Sequence, residues 1–101
     1  MPPVAATASV AVDHILKSWP EMFAPLARGE RKHDVRRVTD RQFSIGDEIL
    51  FREFDPATEE YTGRECRGEV TYITSADVPC PFYEQAINPD FAILSIRLLD
   101  D

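Results

Sequence analysis

Cysteine is scarce in this chain, and so is positive charge. The two cysteines, Cys66 and Cys80, stand in neither a CxxC nor a CxH pattern, so no disulfide framework or structural zinc site can be built from them. Two reduced thiols in a cytoplasmic protein are the expected state. No apolar run approaches the length of a membrane span, and no membrane partner is expected. The opening MPPVAATASVAV lacks the basic start of a secretory signal and is interrupted by Thr7 and Ser9. Residues 1–10 therefore read as a loose tail, and 11–101 as a single domain. Eleven Lys and Arg face eighteen Asp and Glu, a formal net charge of −7, which argues against a general nucleic-acid binder. No His, Asp and Glu set has metal-site spacing, and neither a metal nor another cofactor is expected.

What is present supports one core. A chain of 101 residues, 44% hydrophobic and 29% charged, is large enough to fold without staples. Its charge is unevenly spread. Arg28, Arg31, Lys32, Arg36, Arg37 and Arg41 stand against only Glu30, Asp34 and Asp40, so this segment carries +3 and the remainder −10. A basic patch on an acidic body suits a small anionic ligand better than a long polyanion. Taken alone, such a run is also what a solvated charged loop looks like.

Periodicity gives the elements. Residues 10–17 alternate enough for a first strand. Ser18-Trp19-Pro20-Glu21 reads as a helix start, with Ser18 as cap, Glu21 completing a capping box and Pro20 tolerated in the first turn. Met22, Phe23, Leu26 and Ala27 form its core stripe, and Gly29 is a natural stop. Pro25 requires that the helix be short or kinked. Residues 33–38 read as a strand with Val35 alternating against Asp34 and Arg36, and 49–54 as a central strand. Asp55-Pro56-Ala57-Thr58 opens a hairpin loop reaching Gly63. In 64–74, Cys66, Gly68, Val70 and Tyr72 fall on one face, and Arg67, Glu69, Thr71 and Ile73 on the other. Residues 75–89 read as a loop with one helical turn near 83–86. The last strand, 91–99, turns Ala92, Leu94, Ile96 and Leu98 inward. One helix and about five strands imply an α+β fold, a small mixed β-barrel.

A set of short motifs follows this order: HxLKxWPxxF from His14 to Phe23, GxxxxxxR from Gly29 to Arg36, DRxFxxGD from Asp40 to Asp47, then REFDP, YTGRE and EVTYIT. Together they resemble a small ASCH-type domain of the PUA-like superfamily, in a subfamily of bacteria and phages described as RNA-binding. The resemblance spans residues 12–98. It implies a barrel with a cleft beside the N-terminal helix, lined by a GxKxxExR signature whose basic side chains face a phosphate or nucleobase. Here Gly29 and Arg36 keep their places, Arg31 stands for Lys, and Asp34 for Glu or Thr. Relatives that resemble amidohydrolases on modified cytidine would use that lysine and threonine. Guanidinium stays charged near neutrality, and Asp offers no hydroxyl nucleophile, so that chemistry is not expected here.

The expected ligand residues are Lys17, Trp19, Arg31, Asp34, Arg36 and Arg41, with Trp19 as a stacking face. Plainer readings stand beside these: a surface ion pair with Asp34, Asp40 or Asp47 for Lys17 and Arg36, an internal brace for Arg36, and a core position for a lone Trp at a helix start. His14 reads as a packed or bonded histidine, and Asp40-Arg41 and Gly46-Asp47 as turn geometry. The leading expectation is a non-catalytic module binding RNA, a nucleotide or a modified base. A protein-binding adaptor using the acidic surface, including Glu59, Glu60 and Asp100-Asp101, is the alternative, and an amidohydrolase or ribonuclease is the third.

Overall fold

The computed structural model describes residues 12–99; the tail read over 1–10 lies outside them. Seven elements follow in order: β1 (His14–Ser18), α1 (Pro20–Ala27), β2 (His33–Arg37), β3 (Glu48–Asp55), β4 (Glu60–Ser75), α2 (Pro81–Ala86) and β5 (Phe91–Leu99). The strands form one mixed sheet in the order β1-β3-β4-β5-β2, with β1 parallel to β3 and the other pairs antiparallel. The sheet curls strongly into a half-barrel, as expected of a small α+β barrel with an N-terminal helix. Its two edge strands, β1 and β2, face one another across a seam. No helix among the described residues is long and apolar enough to cross a membrane.

The core lies on the concave face. Ile49 and Phe51 of β3, Val70 of β4 and Ala92, Leu94 and Ile96 of β5 are buried there against Phe23 and Leu26 of α1. Each large side chain so placed stabilises the fold by roughly 1.5–3 kcal/mol. Packing is tight where β4 crosses β5. A Cβ added at Gly68 would stand 2.5 Å from Ile96 Cγ2, so the absence of a side chain permits the close approach.

Helix α1 has only eight residues and contains Pro25. It ends in a Schellman motif: Gly29 at φ +79° donates to the Leu26 carbonyl at 3.0 Å, and Glu30 to the Pro25 carbonyl at 2.9 Å. Its start differs from the capping-box expectation. Trp19 holds the N-cap position without a side-chain cap bond, because Ser18 completes β1 and turns into the core. Trp19 is correspondingly 55% exposed rather than buried, and Met22 of the expected stripe is 46% exposed.

Two irregularities in the sheet account for departures in β4. Between Val70↔Ile96 and Tyr72↔Ser95 the β4–β5 register slips by one, leaving Thr71 as a bulge. Strand parity inverts after it. Tyr72, expected beside Val70, is 54% exposed, and Ile73 packs on the core instead. The second lies between Arg52↔Glu65 and Phe54↔Tyr61, where Glu53 faces Thr62, Gly63 and Arg64. Gly63, at φ +96°, is therefore inside a strand rather than at the end of a hairpin loop. The turn is confined to the residues between Asp55 and Glu60.

Candidate binding mouth at the seam

Three buried polar or charged residues stand out among the described residues: Ser18, Asp34 and Glu53, each at most 5% exposed. Alternation directs all three inward. On β1, Leu16 and Ser18 point to the core while Lys17 points out. On β3, Glu53 continues the Ile49-Phe51 face. On β2 the usual pattern is reversed, with Asp34 buried and Val35 54% exposed. An acid set inward in place of a hydrophobe must find partners, since an unpaired buried charge is very costly.

Asp34 finds two. Arg31 donates to its Oδ1 at 3.0 Å and Arg36 to its Oδ2 at 2.6 Å. The guanidiniums are in turn anchored on the main chain. Arg31 donates to the Met22 carbonyl of α1 through Nε and Nη2, at 3.2 and 2.8 Å, and to the His33 carbonyl. Arg36 reaches across the seam to the Lys17 carbonyl at 2.7 Å. This knot joins helix, β2 and β1, so the half-barrel is closed at this point by side chains instead of a strand ladder. It also gives a physical reason for arginine at position 31. A planar fork serves a helix carbonyl, a strand carbonyl and a carboxylate together, which a lysine ammonium cannot match.

Glu53 is less completely held. The Thr62 hydroxyl donates to its Oε1 at 2.6 Å, and Arg64 Nη1 stands 3.6 Å from the same oxygen. Oε2 has no hydrogen bond to a described residue, and neither has the hydroxyl of Ser18, its neighbour across the β1–β3 pair. The Arg64 side chain is 61% exposed, and its guanidinium lies 5.2 Å from the centre of the Phe23 ring. Glu53 is thus a buried carboxylate under a solvent-facing cation.

The expected ligand residues divide. Arg31, Asp34 and Arg36 come together at the seam. Lys17 joins them only through its carbonyl; its ammonium lies on the other face, 4.3 Å over the Phe54 ring. There it belongs to a ladder in which Phe54 meets Tyr61 edge-on and Arg52 covers Tyr61 at 3.8 Å. Trp19 sits half-exposed at the β1–α1 junction, one residue beyond Ser18. Arg41 is exposed in the segment between β2 and β3. His14 is bonded and packed, its Nε2 2.8 Å from Asp47 Oδ2 and its ring 4.5 Å from Phe43. Ser18, Glu53, Thr62 and Arg64 were not among the expected residues. For Glu53 the signal was available: an acid in phase with Ile49 and Phe51.

Among the described residues no group of His, Cys, Asp and Glu is arranged to hold a metal, and Cys66 and Cys80 are not joined in a disulfide. A search of the curated proteins found nothing that matches this chain. The model of a family described as a domain of unknown function, DUF3850, matches residues 13–96, nearly the whole described span, and the chain belongs to that family.

Proposed function

We propose that this domain is an ASCH-type module that binds RNA, a nucleotide or a modified base at the seam mouth without chemically altering it. The observation that carries the reading is the half-satisfied Glu53. Its second oxygen and the Ser18 hydroxyl have hydrogen-bonding capacity left, and Arg64 adds exposed donors beside them. A base edge offering an N–H next to an acceptor complements that set. Trp19, half-exposed nearby in the chain, supplies a stacking face of the kind that contributes roughly 1–3 kcal/mol per base.

Charge supports a small ligand. Arg31, Arg36 and Arg64 against Asp34 and Glu53 leave one net positive charge at the mouth. Affinity for long RNA is then modest and falls steeply with salt. Binding without turnover follows from the occupancy of the groups that would otherwise react. Both Asp34 oxygens are taken by guanidiniums. The same reading assigns the protein to the cytoplasm of a bacterial or phage-infected cell.

Titration with short single-stranded RNA and with nucleosides at low salt is the test. Saturable binding weakened by Glu53→Gln and by Arg64→Ala is expected. Binding indifferent to both substitutions would remove the mouth from consideration.

A further inference from the structure

A second concavity, on the other side of Arg31, lies between α1 and the β4–β5 pair. It encloses about 370 Å³ and is lined by Leu26, Ile96 and Leu98 below, with Arg31, Lys32, Thr71 and Arg97 around the rim. That volume is at the lower end of small-molecule sites. We propose that this groove binds a small organic monoanion, a carboxylate carried on an apolar body, and that Lys32 holds its charge. The proposal stands apart from the reading of the seam mouth and uses none of Ser18, Glu53 or Arg64.

The charges on the rim select the ligand. Arg31 is committed to Asp34 and to the main chain, and Arg97 is paired with Glu69. The exposed Lys32 ammonium has no ion pair among the described residues. One unmatched cation above an apolar floor complements one negative charge on an apolar body. A dianionic phosphomonoester would leave a charge unanswered. The rim is also where the sheet ladder is interrupted. Thr71 is the bulged residue of β4, so its peptide stands outside the ladder beside the groove, while its hydroxyl donates to the Ser95 carbonyl at 3.3 Å. Gly29 leaves the helix side open, with nothing within 4 Å of where a Cβ would stand.

The experiment is an amide-detected NMR titration of the full chain with 1-naphthoate and, in parallel, neutral 1-naphthamide. Saturable shifts at the amides of Lys32, Thr71 and Arg97 are expected with naphthoate. Lys32→Met, which keeps most of the stem, should weaken naphthoate by about fivefold, the upper end for an exposed ion pair, and bring it to the level of the amide. Equal affinity for acid and amide in the unaltered protein would overturn the proposal. So would shifts confined to Ser18 and Arg64, which would locate the ligand at the seam mouth. Removal of Asp100-Asp101 should leave naphthoate affinity within about twofold; a rise of about tenfold would mean that the chain's own acidic end answers Lys32.

Discussion

Asp34 and Glu53 are two carboxylates buried on the same concave face, and they are held in different ways. Asp34 accepts from a guanidinium at each oxygen, and those guanidiniums are tied to three main-chain carbonyls. Glu53 accepts from one hydroxyl, lies 3.6 Å from one exposed arginine and retains an oxygen with no described partner. The first arrangement is complete within the chain and acts as a fastener across the seam. The second leaves one carboxylate oxygen without a hydrogen bond to a described residue. Burial alone therefore does not distinguish the two acids; the partners that the folded chain supplies to their oxygens do.

The strongest way to break this contrast is Asp34→Ala. It leaves two guanidiniums at the seam without their shared counter-ion, and a loss of about 3–5 kcal/mol is expected. Urea denaturation measures it directly; a loss below about 1 kcal/mol would mean that the knot is not a fastener. Arg31→Lys comes next. Lysine keeps the charge but loses the fork that joins Met22, His33 and Asp34, so about 2 kcal/mol should be lost in the same assay. Glu53→Gln should behave oppositely, costing less than about 1 kcal/mol in stability while reducing affinity for the base-bearing ligand by about tenfold.

The smallest effect concerns an exposed pair beyond α1. Arg28 donates to Glu30 at 2.9 Å. That hydrogen bond, with the charge attraction behind it, holds the Glu30 carboxyl below its ordinary value and raises Arg28. A carboxyl with its folded value below the unfolded one contributes stability that is present above the unfolded value. That contribution is lost as pH falls through the folded one. Because both groups are fully in solvent, the contribution is slight. NMR titration should show Glu30 protonating at lower pH than a free glutamate, and Arg28→Ala should return it to the ordinary value.

Much of the framework is legible in the sequence, and the places where it is not have physical causes. The strand over 91–99 alternates without interruption, and Ala92, Leu94 and Ile96 are buried as their spacing implies. In β4 the same reasoning holds only as far as Val70, because the bulge at Thr71 inverts every later side chain. No residue type at that point announces it. Gly63 has the composition of a turn and the position of a strand irregularity, since a positive φ serves both. Trp19 is exposed because the preceding Ser18, not the indole, occupies the inward position as β1 ends. The candidate site was half legible. The Arg31-Asp34-Arg36 set was legible as a unit only through the resemblance of residues 29–36 to a GxKxxExR signature. Its partners on β1 and α1, being main-chain carbonyls, leave no mark in the sequence. Glu53 could be found from parity, whereas Thr62 and Arg64 reach it only because the β3–β4 register slips.

The contrast between the two acids is tested most directly by titrating the native protein and its Glu53→Gln variant with short single-stranded RNA and nucleosides, followed by amide NMR. The account predicts saturable shifts at Ser18, Glu53 and Arg64 in the native protein and about tenfold weaker binding in the variant, with the fold unchanged. Equal binding by both proteins, or shifts that avoid these residues, would contradict it.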